Sequence, residues 1–291
     1  MILASAWGGT IRLALIEAGI LAEYTLWRPD RPDGVGDLHT GRITARVASL
    51  GGVFADLGDA TGFLPDSAGG KSVSEGDLVA LRITRAAQSG KGPRLALAAG
   101  AKTGAAPGLI ARGPGPVGDW RALHPDVPII ADDYGLIAEL RPRFGAVAYR
   151  AGCFAAFEDE IAALDSSEIA LPGGARATVS PTPALTAIDI DAGAATGERG
   201  GKVASQARLN RAIIPELARQ IRLHNLGGAI LIDFAGMKPA ARASLGPDLA
   251  AALARDPLKP RLLGFTALGL AEVLRPRIRP PLHEILHEVQ G

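Results

Sequence analysis

A single cysteine, Cys153, stands in the whole sequence. One thiol cannot build a disulfide framework within the chain, nor a cysteine zinc cluster. That usage suits a reducing compartment. Charge of one sign is also missing. Lysines and arginines nearly balance the acids, leaving a formal net charge of +1. No global basic field marks a nucleic-acid partner, so any such site must come from a local patch. Long apolar runs are absent as well, and no stretch reaches the ~18 uninterrupted residues of a spanning helix. The opening MILASAWGGTIRLALIEAG lacks a basic leader and a long apolar segment, so no signal peptide is expected. These absences lead to the expectation of a cytoplasmic chain with no membrane partner.

Apolar residues make up 47% of the chain, enough for a real core. Glycine (37) and proline (21) promise many turns without reaching the level of a disordered chain. IRLALIE (11–17) and ILAEYTLW (20–27) flank Ala18-Gly19 as a hairpin. Between Leu38 and Leu97, short strand-like runs alternate with Gly, Asp and Ser, which predicts a small β-barrel. Residues 98–118 read as a loop or linker around a short strand, LIA. Residues 119–150 show no clear period. FAAFEDEIAAL (154–164) carries helical spacing, and IALPGGARATVSPTPALTAIDI reads as strands about a glycine-rich turn. The fold class expected is α/β in the sense of a multi-domain α+β chain.

The most informative unit is 184–234. ALTAIDI is a strand, and AGAATGERGGK a glycine-rich loop. Leu209, Ile213, Leu217 and Ile221 then recur every four residues on an amphipathic helix. Pro215 predicts a kink or break in that helix, and Gly227-Gly228 its end. AILIDF (229–234) is a continuous apolar run, as in a buried parallel strand. Strand, helix and strand form a βαβ unit with parallel strands. Asp189 and Asp233 then lie at one sheet edge, where α/β folds place their sites. Asp191 shares a face with Asp189, because strand side chains alternate. Carboxylates gathered there repel one another. Mg²⁺, with Mn²⁺ as the variant, relieves that repulsion and positions water for phosphodiester cleavage. The plain alternative is that these acids only form turns or cap helices.

Other features are weighed beside their structural readings. Phe54 and Phe63 on the barrel could stack unpaired bases or sit in its core. Lys91 and Arg94 in GKGPR (90–94), read as a flexible loop, fit contact with a phosphate backbone. HEILH (283–287) matches a zinc-hydrolase string, with His283 and His287 as ligands and Glu284 as base, but reads more simply as an amphipathic terminal helix. AGGKS (68–72) fails as a phosphate loop, because Pro65 replaces the required glycine. Cys153 has no evident base and reads as a buried small residue.

TPALTAIDIDAGAATG, LARQIRLHNLGGAILIDFAGM and LGFTALGLAEVLRPRIRPPL together resemble the catalytic region of the ribonuclease E/G family. GRITARVASLGGVFADLGDATGFLP and GKGPRLAL resemble that family's inserted RNA-binding barrel. The resemblance covers about four-fifths of the chain, and residues 98–150 match poorly. It implies an OB-fold at 38–97, a DNase I-like α/β catalytic domain at 153–291, and a shortened RNase H-like, 5′-sensor-like part from 1–37 and 98–152. It further implies a Mg²⁺-dependent endoribonuclease that cleaves single-stranded RNA to 5′-phosphate and 3′-hydroxyl ends.

Under the resemblance, Asp189 and Asp233 fall on the metal-binding aspartates. Asp191 falls where the family usually has asparagine. Phe54, Phe63 and Lys91 fall on RNA-contacting positions. Arg112 falls on the arginine of the 5′-monophosphate pocket, beside Gly113 where a threonine is usual. Gly236 replaces a second acid and Ala267 an arginine. The family's zinc-sharing cysteine pair has no counterpart here, so no structural zinc and no zinc-linked tetramer is expected, but rather a homodimer or a monomer. Two alternatives stay open: an RNA-binding protein with weakened or lost nuclease activity, and a zinc hydrolase using HEILH.

Overall fold

A computed structural model describes residues 1–88, 90–193 and 202–290. The glycine-rich loop expected at 192–202 lies, from residue 194 to 201, outside the described residues. The chain divides into two compact units. One contains residues 1–13, 26–151 and 278–280, and the other residues 14–25, 152–277 and 281–291.

At the start of the chain, β1 (Ile2–Trp7), β2 (Thr10–Glu17) and β3 (Ile20–Trp27) follow one another. The expected hairpin forms, with Ala18 and Gly19 both at positive φ between β2 and β3. The closed barrel comprises β4 (Leu38–Val47), β5 (Gly52–Asp56), β6 (Thr61–Pro65), β7 (Leu78–Arg85) and β8 (Arg94–Leu97). They pair in the order β5-β6-β8-β7-β4, and β4 pairs back onto β5 to complete the ring. A register shift between Ile43 and Ala45 lets β4 bend from one partner to the next. Ile43, Val53, Ala55, Leu64, Leu81 and Leu95 fill the barrel core. LIA proves to be part of β9 (Gly108–Ala111), which pairs with β4.

The stretch without a legible period contains α1 (Gly115–Leu123), β10 (Ile129–Ala131), α2 (Tyr134–Phe144) and β11 (Val147–Tyr149). The two strands have three residues each, too short to show a period. They lie parallel to β1 in a sheet of order β11-β10-β1-β2-β3.

The second unit begins with a correction. The helix expected over 154–164 is only α3 (Glu158–Ala162) plus one 3-10 turn. Then come β12 (Glu168–Ala170), β13 (Arg176–Pro181), β14 (Leu185–Asp191), α4 (Lys202–Leu223), β15 (Gly228–Asp233), α5 (Pro239–Arg242), α6 (Gly246–Leu253), β16 (Arg261–Phe265), β17 (Ala271–Arg275) and α7 (Leu282–Gln290). Six strands form a sheet in the order β12-β13-β14-β15-β17-β16. Only β14 and β15 are parallel among its named pairings, joined by α4 as the βαβ reading requires. Ile188, Ile190, Ile230 and Ile232 point to one face. There they meet Ile213, Leu217 and Ile221 of α4 and Leu249 and Leu253 of α6.

Two expectations about α4 are corrected. Pro215 does not break it, and the helix runs unbroken for 22 residues. Pro215 is exposed, so water can satisfy the carbonyl one turn earlier that loses its N–H donor. Gly227-Gly228 does not end the helix either. Asn225 takes the left-handed conformation (φ 48), the Leu226 N–H donates to Ile221 O, and the Asn225 N–H donates to Arg222 O. That is a Schellman terminus built on asparagine, with buried Leu226 as its apolar contact.

Candidate active site

Strand β14 alternates along its length. Thr186, Ile188 and Ile190 are buried, whereas Asp189 and Asp191 are exposed on the opposite face. In the β14–β15 register, Asp189 is the direct partner of Asp233. Neighbouring strands lie about 4.8 Å apart, so the two carboxylates stand side by side at the carboxyl ends of the parallel strands. On its other side Asp189 faces Thr178 of β13. Glu272 of β17, opposite Leu231, shares the same face.

Asp233 does not stand alone. The Arg242 guanidinium of α5 donates to Asp233 Oδ1, and its Nε donates to Met237 O at 3.0 Å. Arg242 is largely buried, while the Asp233 side chain keeps 46% of its exposure. One carboxylate oxygen is thereby engaged on a side chain that stays partly exposed. Nothing in the sequence marked Arg242, Thr178 or Glu272. Their relation to the aspartates arises from strand register and from a turn that folds back.

Asp191 is engaged differently. Its Oδ1 accepts from the Gly193 N–H at 2.9 Å, and its Oδ2 lies 4.0 Å from Arg176 on β13, its register partner. Among the described residues, no group of three or more His, Cys, Asp or Glu side chains could hold a metal ion. The available donor set is therefore the pair Asp189 and Asp233. That pair still fits Mg²⁺, which is usually held by one or two carboxylates and retains several waters.

The loop after β15 is tied to α4, where Asn210 Nδ2 donates to Ala235 O at 2.9 Å. Gly236 adopts φ +63, and a Cβ there would fall 2.1 Å from Gln206 Nε2. A side chain at 236 would thus need both an unfavourable backbone and a displaced Gln206.

On the barrel, Phe54 and Phe63 are cross-strand partners, packed edge to face with centroids 5.4 Å apart. Their neighbours Val53, Ala55 and Leu64 point inward, so the two rings lie outside the barrel core and are half-buried against each other. Arg94 is not in a loop, as GKGPR suggested, but opens β8 as the partner of Phe63. Gly92 lies against β6, where a Cβ would sit 2.1 Å from Thr61 O. Lys91 is exposed beside it, its backbone bridged to Gln88. Arg112 lines a cavity of about 210 Å³ with Trp27, Glu139 and Arg143. Buried Asp37 accepts from Arg112 Nη1 at 2.7 Å and from the Gly113 N–H at 2.6 Å.

HEILH lies on α7, where Leu282 is buried and its N–H donates to His224 O. His283 is half-buried and His287 exposed. Burial pulls the His224 imidazole below its ordinary 6.5, opposed by its contact with Gln220 O and reinforced by His283 and Arg219. A histidine held neutral in this way stabilises the fold fully above about pH 6.5. That contribution is lost as pH falls through the depressed value, because the unfolded chain takes the proton first. Urea unfolding at pH 7.5 and 5.0 should show the wild type losing more stability on acidification than His224→Gln. Equal losses would exclude His224 as the cause.

Fold and site define a mixed α+β protein with a carboxylate pair at a strand-end edge and a barrel bearing outward aromatics. The sequence profile of the ribonuclease E/G family matches residues 151–278 of the chain. Ribonuclease E of Escherichia coli (strain K12) is 37% identical over 134 residues, which is 45% of this chain and 12% of the relative. Ribonuclease G of the same strain is 35% identical over 130 residues, which is 44% of this chain and 26% of the relative. Ribonuclease E of Haemophilus influenzae is 34% identical over 134 residues, covering 14% of its length. The matched part thus spans about a quarter or less of these relatives. Among the described residues, no helix is long and apolar enough to cross a membrane.

Proposed function

We propose that this chain is a Mg²⁺-dependent endoribonuclease that cuts single-stranded RNA and leaves 5′-phosphate and 3′-hydroxyl ends. The observation that carries the proposal is the register pairing of Asp189 with Asp233 on an exposed strand-end edge, within the segment matched to the family. Asp189 and Asp233 would hold Mg²⁺ or Mn²⁺. When bound, the ion supplies Lewis-acid polarisation of a phosphate oxygen and lowers the pKa of a water. The chain's own residues do the rest. Arg242 fixes the Asp233 carboxylate in one orientation, and Asp191, held by Gly193, keeps additional negative charge on the same strand face. In this reading the barrel is an OB-fold. Phe54 and Phe63 stack unpaired bases, and Lys91 and Arg94 contact phosphates, which selects single strands. Residues 153–291 serve as a DNase I-like catalytic part. Arg112, held by Asp37, is the 5′-phosphate contact.

The test is cleavage of a 5′-monophosphorylated A/U-rich oligonucleotide with and without Mg²⁺. Wild type should cut, and Asp189→Asn with Asp233→Asn should not. Equal rates would sink the enzyme reading. They would favour the second one, an RNA-binding protein without cleavage, for which Gly236 in place of the family's second acid speaks. Arg242→Gln should lower the cleavage rate about 10- to 100-fold, the usual loss when a ligand's supporting partner is removed. Arg242→Lys should recover part of it, as single-turnover rates would show.

A further inference from the structure

Aromatic residues are scarce, at 4% of the chain, yet two of the three tyrosines lie exposed at one place. Tyr134 and Tyr149 stack face to face, with centroids 4.4 Å apart and planes 6° from parallel. They are 70% and 46% exposed. Tyr149 ends β11, and Tyr134 opens α2 three residues after β10. The two strands are parallel, so both rings stand at the carboxyl edge of the sheet.

The arrangement is held from below. The Asp133 side chain caps α2 by accepting the Leu136 N–H at 2.7 Å, which fixes Tyr134 at the first helical position. Ser5 Oγ donates to Asp132 Oδ2 at 3.0 Å and ties the end of β1 to the end of β10. The Arg150 N–H donates to Ala131 O at 2.9 Å and sets the exposed Arg150 next to the tyrosine pair. Each tyrosine covers one face of the other, and Tyr134 keeps most of its surface in water. A rigid, open aromatic face beside a cation is what an unpaired base with its phosphate requires. The nearby carboxylates are engaged by Ser5 and by the helix cap, and Arg150, whose Nη2 donates to Met1 Sδ at 3.4 Å, brings the positive charge for a phosphate.

We propose that Tyr134 and Tyr149, with Arg150, form a second stacking platform for single-stranded RNA, distinct from the Phe54–Phe63 pair on the barrel. This rests on the reading of the chain as an RNA-binding protein. The test is fluorescence anisotropy of an end-labelled 12-nucleotide A-rich RNA in EDTA, so that no cleavage intervenes. Tyr134→Ala with Tyr149→Ala should weaken binding roughly 5- to 150-fold. The double phenylalanine variant should stay near wild type, because the aromatic faces remain. Arg150→Ala should weaken binding and flatten its salt dependence by somewhat under one phosphate contact. Phe54→Ala with Phe63→Ala is the control for the parent reading. If wild type and that control both fail to bind, the RNA-binding reading falls and takes the platform with it. If wild type binds, the barrel variant is weakened and the double tyrosine-to-alanine variant is unchanged, the platform alone is overturned and the patch is left to a protein partner.

Discussion

Asp189→Asn should reduce Mg²⁺-dependent RNA cleavage by at least about 100-fold, since loss of even a metal ligand's supporting partner costs 10- to 100-fold. The substitution keeps the shape and removes one negative charge. Asp189 is exposed on its strand, outside the core formed by Ile188 and Ile190, so stability should change little. The informative pattern is therefore an unchanged urea midpoint, unchanged RNA affinity in EDTA, and cleavage near the uncatalysed background. Asp191→Asn should be milder. Asp191 faces Arg176 and Gly193, and it lies one strand step beyond the paired carboxylates. If Asp191→Asn abolished cleavage and Asp189→Asn did not, the assignment of the two acids would be reversed.

The largest effect on stability is expected far along the same sheet. Arg275 and Asp256 form an ion pair at 2.7 Å with both side chains about 95% buried. Arg275 also donates to Asn225 Oδ1 at 2.8 Å and to Leu226 O at 3.1 Å. Asp256 accepts the Leu258 N–H through its other oxygen. The pair thus grips the left-handed turn that ends α4 and feeds the chain into β15, two links before Asp233. Arg275→Met should cost about 3–5 kcal/mol, because it leaves the Asp256 charge buried without its partner. Adding Asp256→Leu should recover most of that loss, since a buried ion pair gains little over apolar residues of similar volume. Urea unfolding of the two variants measures both numbers. A single variant within about 1 kcal/mol of wild type would show that the pair is not a structural anchor.

The βαβ unit was legible because its hydrophobic period changes from strand to helix and back. From that change, the shared edge of Asp189 and Asp233 followed by topology alone. The register that makes them direct partners did not follow, nor did Thr178 or Glu272, since strand pairing is set between segments distant in sequence. Arg242 carried no pattern. It reaches Asp233 through the turn after β15, and a lone arginine on a four-residue helix looks like any solvated charge. The end of α4 falls before the glycine pair for a local reason: Asn225 also adopts the left-handed conformation, two residues earlier. On the barrel, turn residues and short apolar runs foretold closed strands. That Phe54 and Phe63 point outward depended on a parity that spacing alone could not fix.

Anomalous diffraction from crystals soaked in Mn²⁺ tests the central claim most directly. The account predicts one strong peak between the Asp189 and Asp233 carboxylates, lost in Asp189→Asn with Asp233→Asn. A Mn²⁺ peak elsewhere in the chain with none between those two carboxylates would contradict it.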